Sequence, residues 1–87
     1  MAYEVEIHPA AQKQMLSLPK EAQVELSLSI DHLGNTPRPP RVKKLAESGL
    51  WRIRVGHYRI VYTIDDEAQL VTIVRVARRR EDTYKGL

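Results

Sequence analysis

The chain has 87 residues, no cysteine and a formal net charge of +3. This length predicts one domain, residues 1–87, with one modest core. The lack of cysteine excludes disulfides, thiolate metal sites and cysteine nucleophiles. We read no signal peptide and no membrane span in the sequence, so we expect a cytoplasmic protein that does not bind membranes.

Charge is divided unevenly along the chain. Residues 1–37 carry two basic and five acidic residues, whereas residues 38–87 carry twelve basic and six acidic residues. A basic half of this kind favours a face that binds a polyanion, such as nucleic acid or another phosphate compound. The alternative is a basic surface that serves only solubility.

The first third of the chain predicts one strand and two helices. The segment Tyr3–His8 alternates apolar and polar residues, as in a strand with one buried face. The run PAAQKQMLSL has apolar residues at helical spacing, and Pro19 ends this helix and opens a second one over about residues 19–33. Gly34 is well placed as the C-terminal cap of the second helix. We expect the helices to form an antiparallel hairpin.

The remainder of the chain predicts a sheet. A proline-rich connection, NTPRPPR, precedes a short strand in VKKLAES and three strand patterns, LWRIRV, YRIVYTI and LVTIVRVARR. Tight connections, GH and DDEAQ, separate these three patterns and predict antiparallel neighbours. The order β-α-α-β-β-β, with VKKLAES as a further short strand, indicates an α+β fold: a small, antiparallel-rich sheet packed against an N-terminal helical hairpin.

Alternation along these strands predicts which side chains share a face. Trp51 and Ile53 point to one side, and Arg52 and Arg54 point to the other. Arg59 is expected on the arginine side because arginine is rarely buried without a partner. The core side is expected to hold Trp51, Ile53 and Val55 with Tyr58, Ile60, Tyr62 and Ile64.

The last strand contributes further arginines to this pattern. Arg75 and Arg79 share one parity, which Val71 and Ile73 also share, so part of their face is predicted to be covered. Together the sheet predicts a basic patch of Arg52, Arg54, Arg59, Arg75 and Arg79, with Arg78 and Arg80 at its rim. Carboxylates such as Glu4 and Glu6 are the alternative partners, but the basic half has too few acids to pair every arginine.

Two segments carry a resemblance to a known family. The runs WRIRVGHYRIVYTID and VTIVRVARRREDTY, with the helix pair before them, resemble the RelE/ParE toxin superfamily of bacterial toxin–antitoxin modules. The resemblance covers almost the whole chain, from YEVEIHPAAQK to TYKGL. The RelE branch of that superfamily cuts mRNA in the ribosomal decoding site, and the ParE branch inhibits DNA gyrase.

The resemblance to the RelE branch implies a function and a site. It implies a ribosome-dependent mRNA endoribonuclease that cleaves in the A site by attack of a 2′-OH, without a metal or other cofactor, and inhibits translation. The positions that match the family's catalytic residues are Arg52, Arg54, Arg59, Arg79 and Tyr84. The further candidates for RNA contact are Arg75, Arg78, Arg80, Lys43 and Lys44.

Proton transfer is the step for which the sequence departs from some relatives. Those relatives have Lys–x–Lys where this chain has Arg52–x–Arg54. An arginine stays protonated in proteins and is therefore a poor general base. The base is therefore expected to be Tyr84, His57 or a group of the ribosome.

The resemblance also implies partners and leaves alternatives open. We expect a cognate antitoxin that forms a hetero-oligomer with the toxin, a free toxin that is monomeric, and binding to the ribosome and its mRNA. A ParE-like gyrase inhibitor without catalytic activity is the main alternative, although such relatives usually lack the complete basic set with a late tyrosine. A degenerate toxin retained as a repressor partner is the third reading.

Overall fold

The computed structural model describes residues 2–45 and 48–79. Its elements, in chain order, are β1 (Glu4–Ile7), α1 (Pro9–Leu16), α2 (Lys20–Asn35), β2 (Lys43–Leu45), β3 (Leu50–Val55), β4 (Tyr58–Asp65) and β5 (Leu70–Arg78). The predicted α+β class and element order are confirmed, and the short strand in VKKLAES is β2. Among the described residues, no helix is long and apolar enough to cross a membrane.

The five strands form one mixed sheet in the order β1-β5-β4-β3-β2. The chain's first strand lies parallel to its last, and the other neighbours are antiparallel. The helices connect β1 at one edge of the sheet with β2 at the other edge, and they cover one face of the sheet. The opposite face carries no described helix.

The core lies between the helical hairpin and the sheet. Its largest fully buried side chains are Tyr62, Leu26, Leu33, Ile60, Ile73 and Val71. Burying one such aliphatic side chain contributes roughly 2 kcal/mol to folding. Prolines shape the helix starts, because Pro9 occupies the first turn of α1 and Pro19 is the N-cap of α2.

A β-bulge in β5 corrects the predicted faces of that strand. Val61 pairs with Arg75 while the next residue, Tyr62, pairs with Ile73, so Val74 is an extra residue in β5. An extra residue reverses the alternation, so Ile73 faces the helices and Arg75 faces the open side. The prediction that Val71 and Ile73 share a face with the arginines of β5 was therefore wrong.

A side chain of α1 supports the strand beyond the bulge. The backbone N–H of Val76 donates a hydrogen bond to Oε1 of Gln14 at 2.7 Å, in a partly buried position. A buried amide without a partner would cost roughly 1–3 kcal/mol. The glutamine thus ties the helical layer to the part of β5 that carries the arginines.

Gly34 has a different role from the predicted C-cap. The helix α2 continues to Asn35 and its C-cap is Thr36. The carbonyl of Gly34 accepts a hydrogen bond from the backbone N–H of Tyr3 at 2.7 Å. A Cβ atom at Gly34 would lie 2.9 Å from Cγ2 of Val5 and 3.1 Å from the carbonyl oxygen of Tyr3. A glycine is therefore required at this position because β1 approaches closely. Gly34 does not end the helix.

Substitution of Gly34 tests this close contact. Gly34→Ala gains about 1 kcal/mol of helix propensity but incurs an overpacking cost of about 1–3 kcal/mol against β1. We expect a net loss in the free energy of unfolding, measured by urea denaturation. Ser27→Ala, at an exposed position of the same helix, should be neutral or slightly stabilising. A Gly34→Ala protein as stable as the Ser27→Ala protein would contradict the contact.

Candidate functional site

The turn between β3 and β4 sets the register of the arginines. Val55 pairs with Tyr58, so only Gly56 and His57 connect the strands. Gly56 has φ +58°, and a glycine with positive φ at the first central position is the pattern of a type II′ turn. In this register Arg54 lies directly opposite Arg59.

The open face of the sheet carries two rows of side chains, which we call the basic face. The first row crosses four strands and consists of Lys43, Arg52, Val61 and Arg75. The second row crosses three strands and consists of Arg54, Arg59 and Ala77. Like charges directly opposite each other on a sheet are destabilising by roughly 0.2–1 kcal/mol. Two like charges therefore face each other where Arg54 meets Arg59.

Arg79 lies at the end of the basic face, immediately after β5. Its backbone N–H donates to the carbonyl of His57 at 2.6 Å, and its Nη1 donates weakly to the carbonyl of Gly56 at 3.4 Å. Its Nε is buried and has no hydrogen-bond partner among residues 2–45 and 48–79. The turn that sets the β3–β4 register thus also holds Arg79 next to that hairpin.

The structure brings together most of the predicted site, but not all of it. Arg52, Arg54, Arg59, Arg75, Arg79 and Lys43 lie on the basic face or at its end. Lys44 instead pairs with Trp51, and its Nζ lies 5.6 Å from the centroid of the indole. Arg78 pairs with Tyr58 and so has the parity of the helix-covered side. Tyr84 and Arg80 lie outside the described residues.

A groove beside the basic face contains a residue that the sequence did not single out. The groove has a volume of about 380 Å³ and is lined by Pro40, Arg41, Val42, Lys43, Arg52 and Arg54. Arg41 follows the prolines of the connection between α2 and β2. Its place could not be read from the sequence, because an irregular segment has no periodicity from which a direction can be inferred.

A polar cluster fixes the start of this proline-rich connection. Arg38 forms a bidentate ion pair with Asp66, at 3.1 Å and 2.8 Å, and the hydroxyl of Tyr3 donates to the same carboxylate at 2.6 Å. The guanidinium of Arg38 also lies 5.0 Å from the centroid of the Trp51 ring. Trp51, predicted to anchor the core, is partly buried and packs against it while its ring contacts these cations.

The same contacts shift the ionisation of the cluster. The hydrogen bond from Arg38, and then that from Tyr3, holds the pKa of Asp66 below its usual value. The hydrogen bond to Asp66 raises the pKa of Tyr3, and it also raises the pKa of Arg38. The ion pair is therefore intact across the whole neutral range.

Tyr62 joins the cluster's segment to the core. Its hydroxyl donates to the carbonyl of Pro37 at 2.7 Å, and its ring is fully buried. Burial raises the pKa of Tyr62 to about 12. This tyrosine is a neutral hydrogen-bond donor at physiological pH, in agreement with its predicted place in the core.

None of the described acidic residues belongs to the two rows of the basic face, although the carboxylate of Glu25 lies beside Gly56 in the hairpin turn. Glu4 and Glu6 share the basic face's side of the sheet, but they lie on the edge strand β1, and the ion pair among the described residues is Arg38–Asp66. No group of three or more histidine, aspartate or glutamate side chains suited to a metal ion occurs within residues 2–45 and 48–79. The chemistry that these residues offer is the binding of negative charge by fixed cations.

Comparison with known proteins identifies the family. The sequence model of the family described as "ParE toxin of type II toxin-antitoxin system, parDE" matches residues 5–83. A candidate toxin RelE1 from Methanocaldococcus jannaschii is 32% identical over 92 aligned positions, which span 99% of each chain. The chain belongs to the RelE/ParE superfamily of type II toxins.

Solved structures place this toxin near RelE within the superfamily. The archaeal RelE–RelB complex from Pyrococcus horikoshii OT3 contains a chain 31% identical, with a TM-score of 0.82, covering 93% of this toxin and 99% of that chain. The RelBE2 toxin–antitoxin complex from Mycobacterium tuberculosis contains one 29% identical, with a TM-score of 0.83, covering 91% and 100%. The protein is thus a RelE-like toxin, and the resemblance read from the strand motifs is confirmed.

The opposed arginines of the hairpin give a test of the site's energetic cost. Arg54→Thr removes a charge that faces Arg59, and we expect it to raise the free energy of unfolding by about 0.5 kcal/mol at low salt. Arg75→Thr is the matched control, because Arg75 lies on the same face opposite the uncharged Val61. Urea denaturation at low and high salt would measure both. Equal changes in the two variants would contradict the repulsion.

Proposed function

We propose that this toxin is a ribosome-dependent endoribonuclease that cleaves mRNA in the ribosomal A site. The observation that carries the proposal is the juxtaposition of Arg54, opposite Arg59, with Arg79 held at the adjoining turn. A sheet that needed only to remain soluble would avoid facing like charges. Cations collected on rigid strands suit a substrate whose charge grows during the reaction.

The reaction needs stabilisation of negative charge above all. The 2′-OH of one nucleotide attacks the adjacent phosphorus, the bond to the 5′-oxygen breaks, and a 2′,3′-cyclic phosphate forms. The phosphorane passed on the way carries additional charge, and preorganised cations aimed at it commonly supply the largest catalytic contribution. Arginine suits this task because its planar fork can donate two hydrogen bonds to phosphate oxygens.

Arg54 and Arg79 are the residues to which we assign this stabilisation, with Arg52 and Arg59 beside them. Among the described residues, the hydrogen bond that the guanidinium of Arg79 makes is the weak one from Nη1 to the carbonyl of Gly56 at 3.4 Å, so its terminal nitrogens can donate to a phosphate oxygen. The hydrogen bond from its backbone N–H to the carbonyl of His57 fixes the end of β5 beside the β3–β4 turn. The cations act as fixed electrostatic partners and carry no proton between steps.

The proton must move through another group. His57 is exposed in the hairpin turn next to Arg79, and histidine is the side chain that most often acts in general acid–base catalysis. Tyr84 and groups of the ribosome are the other candidates. If a His57→Ala variant cleaves as fast as the wild type, Tyr84 and groups of the ribosome remain as the candidates for proton transfer.

Expression of the toxin alone tests the proposal. Growth arrest should coincide with new mRNA 5′ ends located at the A site of stalled ribosomes. Arg54→Ala and Arg79→Ala should each lower single-turnover cleavage on programmed ribosomes by about 10²–10³-fold, the usual effect of removing one transition-state donor. Lys20→Ala, a change in the helical layer, should retain full activity.

Three outcomes would overturn the proposed ribonuclease activity. Intact mRNA on arrested ribosomes would exclude cleavage as the cause of arrest. A DNA-damage response with normal early translation would instead favour inhibition of DNA gyrase, the alternative kept from the sequence. Unimpaired growth would indicate a toxin that has lost its activity.

We further propose that a cognate antitoxin neutralises this toxin by binding to β3 and α2. The solved relatives from P. horikoshii and M. tuberculosis are toxin–antitoxin complexes. Here β2 pairs only with residues 50–52 of β3, so the outer edge of residues 53–55 has no described strand beside it. An apolar groove of about 280 Å³ adjoins that edge and is lined in part by Leu28, Ile53 and Val55.

This arrangement suits an extended segment that pairs with β3 and inserts apolar side chains beside α2. Acidic residues of the same antitoxin would reach Arg54, which lines the groove as well. Occupation of this site would place the antitoxin at the edge of the basic face, against Arg54. Neutralisation then follows from occlusion of this arginine.

Two exposed leucines provide the test of the docking surface. Leu28→Asp should weaken antitoxin binding by about tenfold or more, as expected for loss of an apolar anchor, and should leave cleavage by the free toxin intact. Leu16→Asp is the matched control, since Leu16 is 73% exposed and Leu28 is 67% exposed, but Leu16 lies on α1. Calorimetry with the purified antitoxin measures the effect. Equal binding by both variants would refute this surface.

A further inference from the structure

We propose that the groove beside β2 binds an RNA phosphate other than the one that reacts, and that Arg41 is its principal contact. The inference rests on the proposed function and extends it to RNA backbone beyond the cleaved bond. Of the residues that the structure describes, four basic and two apolar ones line the groove, and none of its described lining residues is acidic. Nothing in the sequence pattern assigned Arg41 a role.

The basic residues of the groove are available for a ligand. The side chains of Arg41, Lys43, Arg52 and Arg54 make no hydrogen bond or ion pair with another residue in the described ranges. Arg41 and Lys43 are exposed. Among residues 2–45 and 48–79, the lining of the groove therefore offers a phosphate several cations and no competing carboxylate.

Arg38 shows the contrast within the same segment. Its guanidinium is bound bidentately by Asp66 and lies near the ring of Trp51. The charge of Arg38 is thus compensated by Asp66. Arg41, three residues later, has no carboxylate partner among the described residues. The segment uses one arginine for attachment and presents the other to the groove.

The wall that carries Arg41 is preorganised. Pro37 is held by the hydroxyl of Tyr62 at 2.7 Å, and the backbone N–H of Val42 donates to the carbonyl of Pro39 at 3.0 Å. Lys43 then enters the sheet opposite Arg52. A wall fixed at both ends loses little conformational entropy when a ligand binds, which favours recognition.

The groove is continuous with the basic face. Arg52 and Arg54 line the groove and also belong to the rows that face the reacting phosphate in the proposed mechanism. A strand whose scissile phosphate lies over Arg54 can therefore place a neighbouring phosphate against Arg41. The apolar walls, Pro40 and Val42, would contact sugar or base and discriminate little between sequences.

The phosphate can belong to the cleaved mRNA or to ribosomal RNA, and two measurements separate these sources. The first is the Kd for a fluorescent 2′-O-methyl oligoribonucleotide, which cannot be cleaved, as a function of KCl concentration. The second is the Kd for vacant ribosomes. Both use the full-length toxin, and thermal melting confirms that each variant is folded.

Arg41→Ala and Arg41→Glu should weaken binding, with Lys20→Ala and Lys20→Glu as matched controls on the helical side. For a phosphate of the cleaved strand, Arg41→Ala should weaken oligonucleotide binding about tenfold and reduce its salt slope by about 0.7. For a phosphate of ribosomal RNA, the loss should occur with ribosomes alone. Either result supports the groove, and the Lys20 variants should resemble the wild type in both assays.

The Arg38–Asp66 ion pair, which attaches the wall of the groove, can be tested separately by substitution of Asp66. Asp66→Asn releases Arg38, so the concentration of programmed ribosomes at half-maximal cleavage should rise while the maximal rate is preserved. An Asp66→Glu variant should restore part of the loss. A variant with an unchanged half-maximal concentration would overturn the role of Arg38 and Asp66 in positioning the wall.

The failure of this proposal differs from failure of the proposed function. If Arg41 variants bind oligonucleotide and ribosomes as tightly as the wild type while mRNA is still cleaved, the groove proposal is wrong and the ribonuclease stands. If Arg41 variants lose RNA binding but the wild-type toxin cleaves no mRNA, the groove proposal stands and the proposed ribonuclease activity is wrong. Loss of antitoxin binding alone, with both RNA affinities intact, would show that the groove serves an acidic protein and would overturn the proposal.

Discussion

The register of the β3–β4 hairpin is the constraint on which the rest of this toxin's site depends. A two-residue turn leaves the strands one way to pair, and that pairing sets Arg54 against Arg59. The same turn supplies the carbonyls that hold Arg79. A shift by one residue would move the arginines into the helix-covered side, where burial without partners is prohibitively costly. Folding energetics therefore enforce the geometry of the site.

Residue alternation was sufficient to predict half of this arrangement. On β3 and β4 every residue keeps its parity, so Arg52, Arg54 and Arg59 could be assigned to the open face from the letters alone. On β5 the bulge at Val74 reverses the parity, and no local residue type announces it. The support for the bulge comes from Gln14, which is distant in sequence. Periodicity predicts the faces of regularly paired strands, but it cannot predict where an extra residue forms a bulge.

The other differences also arise from contacts between distant segments. Gly34 was interpreted as a helix end, which is a local role, whereas its contact is with β1. Arg41 lies in a segment without regular structure, and its position depends on Arg38, Asp66 and Tyr62. The fold class followed from local patterns because helices and strands are local objects. The groove could not be predicted from local patterns, because it forms where an irregular segment meets a sheet.

The parallel pairing of β1 with β5 has a consequence for how the toxin is made. Val5 pairs with Val71, and the hydroxyl of Tyr3 reaches Asp66 across 63 positions of sequence. Contacts of such long range form late, because most of the chain must be present to close them. During synthesis β1 has no strand partner until β5 has been made, so the sheet is completed only after β5 has left the ribosome. A nascent chain that stops before β5 cannot form the sheet on which the arginines are arranged.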